Sequence, residues 1–280
     1  MVFRVSFFCA GDCESFIGGT SMKKLSKLLG TALLIAALTA LPAAAYERIP
    51  ISLNGVGTSL DARLIGTTTY VSLTEASALL GEATGADPKV RAIPEEMCVT
   101  ARGRYIGGSE NLDIDGEVFV PIRSVAKAYC ASVDWQEATR SVELRASEND
   151  GIVPGDEYYI ADEVEWLSRI IYAEAGIEPF AGKILVGNVV LNRVSSSEFP
   201  DTIYDVIFDR KYGVQFTPTV NGMIWRTPSA ACIVAAKICL DNYSLSDEAL
   251  YFLDPDIATN FWIPQNRPFL MKVGGHEFYG

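Results

Sequence analysis

The run from Ile170 to Pro179, IIYAEAGIEP, places two carboxylates, Glu174 and Glu178, four residues apart in an otherwise apolar stretch. On a helix, Leu167, Ile170, Ile171 and Glu174 follow the i, i+3, i+4, i+7 spacing of one face. Glu174 therefore continues an apolar stripe and is drawn out of water. Desolvation disfavours a charged carboxylate and raises its pKa. The product is a general acid that keeps its proton near neutral pH. A buried Glu paired with an arginine such as Arg193 is the competing reading. Glu178 differs in setting, because it precedes Pro179, a favoured first helical residue. That position predicts a capping carboxylate, held ionised by the helix dipole.

Other chemistries fit the residue inventory poorly. The chain has one histidine, His276, so zinc sites that need two or more His ligands are disfavoured. No CxxC or HxH pattern occurs, and no metal or cofactor is expected. No Gly-rich phosphate loop or G-x-S-x-G elbow occurs, and no cysteine sits in a nucleophile motif. What remains is carboxylate acid catalysis without metal, whose commonest use is glycosidic bond cleavage.

The elements around the acid read as α+β. Residues 162–175, 179–194, 201–208 (with Asp201 as N-cap) and 227–241 are helical by period. The stretches ALYFLD, FWIP, FLMKV and HEFY then read as short strands of one small sheet. Upstream, Thr67–Gly81 and Gly116–Cys130 align at a spacing of 49, Tyr70-Val71 matching Phe119-Val120. Each copy reads as strand, turn and helix, an internal duplication. A strand with Val142 and Leu144 inward follows. The polar stretch 147–157 reads as a linker.

Length and composition set the frame. The 280 residues suffice for two modest domains, and 49% are apolar, enough for packed cores. The formal net charge of −12 and the lack of a basic stripe argue against nucleic acid. Lys23, Lys24 and Lys27, an apolar run Leu28–Leu41 and Ala43-Ala44-Ala45 read as an export signal over 22–45. A single membrane anchor is the competing reading, disfavoured because the run is shorter than the ~20 residues of a span. Gly18-Gly19 shortly before Met22 suits a purine-rich ribosome-binding site, so translation is expected to start at Met22, with 1–21 upstream of the protein. Cys98 and Cys130 are a candidate disulfide pair in an exported protein. Cys232 and Cys239 lie about 10 Å apart on one helix, beyond bridging distance, and read as buried thiols.

Two family resemblances follow. TYVSLTEASALLG and VFVPIRSVAKAYCASVDWQEATRSVEL resemble the duplicated stalk domain named after the N-terminal domain of copper amine oxidases. Ser72 and Thr74 depart from that pattern in the first copy. The resemblance implies an accessory module over 46–146, a spacer or a wall- or partner-binding element, and does not imply copper. LSRIIYAEAGIEPFAGKILVGNVVLNRV, FPDTIYDVIF, YGVQFTPTVNGMI, EALYFLDPDIATNFWI, NRPF and GGHEFYG are similar in order and spacing to the spore cortex-lytic / cell-wall hydrolase family, SleB/CwlJ type. This resemblance spans about 166–280. It implies a lysozyme-related helical domain with a small antiparallel sheet over 161–280, preceded by a linker over 147–160. The implied activity is cleavage of peptidoglycan glycan strands, as a lytic transglycosylase, with Glu174 as the catalytic acid. Gly176-Ile177 stand where the family has Arg-Gly, and Asp254 stands where it has Asn.

A lytic transglycosylase needs one carboxyl group; a hydrolase would need a second, for which Glu178, Asp201, Asp254 and Glu277 are candidates. Gln215, Phe216, Tyr251, Trp262, Asn266 and Arg267 are expected to line the sugar groove, with Glu178 and His276 as secondary residues. His276 is expected to orient the last strands rather than to catalyse. A hydrolytic muramidase or glucosaminidase stays open. So does a wall-binding or structural protein without activity. Either way the expected partner is peptidoglycan, and the expected location is outside the cell, at the wall or spore.

Overall fold

A computed structural model describes residues 46–93 and 96–280. The expected start at Met22 and the export segment 22–45 lie outside the described residues. β1 (Glu47–Arg48), β2 (Ile51–Leu53), β3 (Val56–Gly57), β4 (Ala62–Ile65) and β5 (Thr68–Ser72) lead into α1 (Leu73–Thr84). β6 (Arg91–Ile93), β7 (Cys98–Ala101), β8 (Arg104–Gly107), β9 (Leu112–Ile114) and β10 (Glu117–Pro121) lead into α2 (Ile122–Ala128). β11 (Ser132–Gln136) and β12 (Ser141–Arg145) close this region.

The two segments that align at a spacing of 49 meet at the centre of an antiparallel sheet ordered β1-β4-β5-β10-β9. Their register is Tyr70 opposite Pro121, Val71 opposite Val120 and Ser72 opposite Phe119. The pairing is symmetric about the Val71–Val120 pair, and each strand runs directly into its helix. The copies start those helices differently. Ser72 Oγ accepts the Glu75 N–H at 3.2 Å as the N-cap of α1. At the matching position of α2, Pro121 is the N-cap and makes no side-chain bond. So Ser72, which stands where the second segment has Pro121, caps its helix with a side-chain oxygen. Val71, Leu80, Val120, Val125, Val142 and Leu144 form one buried core here.

The C-terminal region is helical first. Its elements are α3 (Gly155–Tyr158), α4 (Ala161–Ala175), α5 (Phe180–Ser195), α6 (Ile203–Phe208), α7 (Pro218–Asn221), a 3-10 turn (Met223–Trp225) and α8 (Ala230–Leu240). β13 (Tyr251–Leu253), α9 (Trp262–Asn266), β14 (Phe269–Val273) and β15 (His276–Tyr279) follow. The strands form an antiparallel sheet ordered β13-β15-β14. A second core joins α4, α5 and α8 to Phe278 of β15. The content is α+β. No helix of the described residues is long and apolar enough to cross a membrane.

Several expectations change. FWIP is not a strand: Trp262 opens α9, whose first N–H donates to Asn260 Oδ1 at 2.9 Å, and Pro264 sits in the first turn, where its missing N–H costs little. The cap of α6 is Thr202, not Asp201; Thr202 Oγ1 accepts the Asp205 N–H at 3.1 Å. Cys98 and Cys130 are both free thiols. Cys98 is buried against the helical core, whereas Cys130 is exposed in a turn with φ 54°. Burial pushes the Cys98 thiol up to about 12. Cys232 and Cys239 are buried and free.

The segment after Ala146 is bonded along its length rather than left as a loose tether. Asn149 N–H donates to Thr84 O at 2.9 Å, Ile152 N–H to Ala128 O at 3.2 Å and Gly155 N–H to Arg102 O at 2.8 Å. Residues 47–280 accordingly form one compact unit with two cores.

Candidate active site

α4 buries Leu167, Ile170, Ile171 and Ala175, the face read from the spacing. Glu174 lies on that stripe in the last turn, partly buried. Among the described residues its carboxylate makes no hydrogen bond or ion pair. Burial alone pushes its pKa up to about 7. The negative pole of the helix C-terminus acts in the same direction. Arg193 is not its partner. That guanidinium is itself buried, with Nε donating to Leu250 O at 2.8 Å and the rings of Phe199, Phe216 and Tyr251 around it at 4.9, 5.2 and 5.3 Å. Burial lowers the Arg193 pKa to about 10, and one of its nitrogens, Nη1, has no hydrogen-bond partner among the described residues. Glu174 is thus an unpaired acid on an apolar face, the arrangement that holds a proton for delivery.

The turn after Glu174 explains the missing Arg-Gly. A Cβ built on Gly176 would lie 2.6 Å from the Tyr172 carbonyl oxygen and 3.3 Å from the Tyr172 ring. This backbone has no room for an arginine at 176, so the helix end approaches Tyr172 closely. Ile177, in the place of the family's glycine, is fully exposed.

Glu178 is not a cap. The N-cap of α5 is Pro179, with no side-chain bond. Glu178 reaches across to the β14–β15 turn, where Oε2 accepts the Gly275 N–H at 2.9 Å. The approach is so close that a Cβ on Gly274, at φ +60°, would fall 1.9 Å from Oε2. Asp254 approaches the same turn, its Oδ2 3.6 Å from where a Gly275 Cβ would stand. His276 follows, 7% exposed, its ring 5.1 Å from that of Phe252, and its Nδ1 has no hydrogen-bond partner among the described residues. Burial lowers the His276 pKa, while the charges of Glu178 and Asp254 act to raise it. A neutral imidazole at the start of β15 suits a positioning role.

The expected groove residues divide. Tyr251, Trp262 and Arg267 come together: Arg267 Nη2 donates to the Tyr251 hydroxyl at 2.8 Å, and the guanidinium lies 4.6 and 5.6 Å from the Tyr251 and Trp262 ring centres. Trp262 is half exposed. Asn266 closes α9 on itself, donating to Trp262 O at 2.8 Å. Gln215 is partly exposed, its amide near Gly213 O at 3.4 Å. Phe216 cannot meet a sugar, because it is 2% exposed and packs in the core beside Arg193 and Phe252. Among the described residues no group of three His, Cys, Asp or Glu side chains could hold a metal ion. Sequence reasoning missed two features, the role of Arg193 as a ring-stacking post and an aromatic shelf on α4, α6 and the 3-10 turn. The shelf's signal was the Trp, Tyr and Phe density of those segments.

The raised acid has a consequence for stability that does not depend on any substrate. Glu174 binds its proton more tightly folded, near pH 7, than unfolded, near 4.5. Between those values the folded state holds more protons, so its stability falls as pH rises through that window. Glu174→Gln removes the effect. Thermal unfolding is expected to show the variant matching the parent at pH 4 and exceeding it by about 2 kcal/mol at pH 8, allowing for the partly exposed carboxylate. A constant difference across this range would show that Glu174 is not desolvated.

Comparison with known proteins bears on this region. Residues 177–279 match the family model described as Cell Wall Hydrolase. Glu174 lies just outside the matched span. The spore cortex-lytic enzyme of Oceanobacillus iheyensis is 35% identical over 120 residues, 43% of this chain and 42% of that protein. The spore cortex-lytic enzyme of Bacillus subtilis is 33% identical over 117 residues, 42% of this chain and 37% of that protein. The chain thus spans less than half the length of the curated relatives it matches. Among solved structures, the catalytic domain of the germination-specific lytic transglycosylase SleB from Bacillus anthracis is 33% identical, covering 46% of this chain and 100% of that one, with a TM-score of 0.40.

Proposed function

We propose that this chain cleaves the glycan strands of peptidoglycan as a lytic transglycosylase, with Glu174 as its acid and base. The observation that carries the reading is Glu174 itself, a carboxyl on a buried helix face with its pKa raised to about 7 and, among the described residues, no cation paired with it. In the first step the Glu174 carboxyl protonates the oxygen that links C1 of N-acetylmuramic acid to N-acetylglucosamine. The C1–O bond breaks, the N-acetylglucosamine end leaves as an alcohol, and positive charge develops at C1. In the second step the Glu174 carboxylate takes the proton of the muramoyl C6 hydroxyl. That oxygen bonds to C1 and closes a 1,6-anhydro ring. The proton taken restores the acid, and no water is consumed. Tyr251, Trp262 and Arg267 form an aromatic and cationic patch, with Trp262 half exposed, that would hold the strand.

The N-terminal region supports an accessory role in the same reading. Its symmetric strand pairing about Val71 and Val120 suits a duplicated stalk-like module over 46–146, with the catalytic domain over 161–280. Such an activity would act outside the cytoplasm, on the wall or the spore cortex, which is consistent with the export signal read over 22–45.

Mass spectrometry of digested peptidoglycan tests the proposal. Anhydromuramic ends are the expected products. Muramitol ends after borohydride reduction would instead identify a hydrolase, and no released muropeptides would point to a wall-binding protein without activity.

A further inference from the structure

Four aromatic rings that the site above does not use form a shelf on the helical region. Trp166 of α4 stands at its centre, edge-on to Tyr204 at 5.1 Å, Phe208 at 5.4 Å and Trp225 at 5.7 Å. Tyr204 and Phe208 lie 4.6 Å apart on α6. The shelf is built rigidly. Arg169, one turn along α4, pairs with Glu165 at 2.9 Å and directs Nη1 to the carbonyls of Ile224 and Arg226 at 3.4 and 3.3 Å, which fixes the turn that carries Trp225. Yet Trp225 is 62% and Tyr204 47% exposed. The Trp225 indole N–H and the Tyr204 hydroxyl make no hydrogen bond among the described residues.

Three considerations identify what such a surface takes. First, its chemistry is amphipathic: flat apolar faces edged by unpaired N–H and O–H donors. A pyranose ring matches it, with an axial C–H face and a rim of hydroxyls. Second, its size is wrong for a second protein. Two rings about half exposed offer on the order of 200 Å², well short of the ~600–800 Å² that each partner of a stable complex buries. Third, it shares a helix with the acid. Trp166 and Glu174 are eight residues apart on α4, about 12 Å along the axis. A polymer seated at Glu174 extends over that range, whereas a small ligand does not.

We propose that the Trp166–Tyr204–Phe208–Trp225 shelf is a sugar-stacking subsite for a distal part of the same glycan strand. The proposal rests on the glycan-cleaving reading, and a binding measurement separates the two. Intact, purified peptidoglycan is titrated with the full chain carrying Glu174→Gln, with and without Trp225→Ala or Trp225→Phe. Trp225 is mostly exposed, so its replacement leaves the core intact, and thermal unfolding confirms that. Trp225→Ala is expected to weaken binding on the order of tenfold, with Trp225→Phe close to the parent. Equal binding by Trp225→Ala, or equal loss in Trp225→Ala and Trp225→Phe, overturns the shelf. A change of oligomeric state with unaltered binding also overturns it, and assigns the face to self-contact. Should the unsubstituted chain bind peptidoglycan but release no fragments, the catalytic reading fails, and the shelf is judged on binding alone.

Discussion

Glu174→Gln is expected to lower release of peptidoglycan fragments by about 10²–10⁴-fold, the usual contribution of a positioned general acid. Gln has nearly the shape of a protonated Glu, and Glu174 makes no bond among the described residues that the amide would break, so the fold is kept and lost activity is not lost folding. The substitution removes the transferable proton, and with it the cost of burying the ionised carboxylate. The same acid predicts the pH profile. Protonation of the leaving oxygen needs the carboxyl form, and burial holds its pKa at about 7. Activity is therefore expected to fall about tenfold per pH unit well above that value. Glu174→Asp keeps a carboxyl but withdraws it by one methylene, and a misplaced acid loses much of its rate. Fragment release by Glu174→Gln equal to that of the parent would remove Glu174 from the reaction and leave the chain a wall-binding protein.

That acid was legible because two local signals conflict. The spacing of Leu167, Ile170 and Ile171 demands an apolar residue at 174, and the chain supplies a carboxyl. Local conflicts of this kind mark functional sites. Glu178 was misread for the converse reason. A residue before Pro179 is a good cap by local rules, but the Gly275 N–H, 97 residues away, is a better partner. Phe216 and Trp262 show the limit of composition: both are aromatic in polar segments, and only the tertiary fold decides that one is 2% and the other 48% exposed. FWIP has strand-like residues, yet one Asn side chain starts a helix there. In the N-terminal region the repeat was visible in the spacing of 49, whereas the packing of the connector on that region was not. The bonds that Asn149, Ile152 and Gly155 make to it start from backbone N–H groups, which the side-chain pattern does not report.

Asp241→Ala is expected to be the most destabilising single substitution outside the apolar cores. Asp241 ends α8 and is fully buried. Its charge is met from the N-terminal region: Arg104 Nε of β8 lies 2.5 Å from Oδ2, and Lys127 Nζ of α2 lies 2.5 Å from Oδ1. The Tyr159 hydroxyl approaches at 3.4 Å, and the Arg104 guanidinium is stacked 3.2 Å from the Tyr158 ring centre. Removing the carboxylate leaves a buried guanidinium with no counter-charge, at a cost of about 3–5 kcal/mol. For a unit of this size that lowers the melting temperature by roughly 10 °C. The pairs are unequal, because Arg104 is 5% exposed at its side chain and Lys127 40%. Arg104→Met should therefore cost more than Lys127→Met, whose charge is partly solvated already. Replacing Asp241, Arg104 and Lys127 together by apolar residues should recover much of the loss, since the desolvation of all three charges disappears with them. Cys98, Met97 and Tyr105 from the β7–β8 region also pack against the helical core. The two cores then share one unfolding transition, and Asp241→Ala should lower both together. A variant that melts in two steps, with the helical core unchanged, would mean that α8 holds its position without β8 and α2.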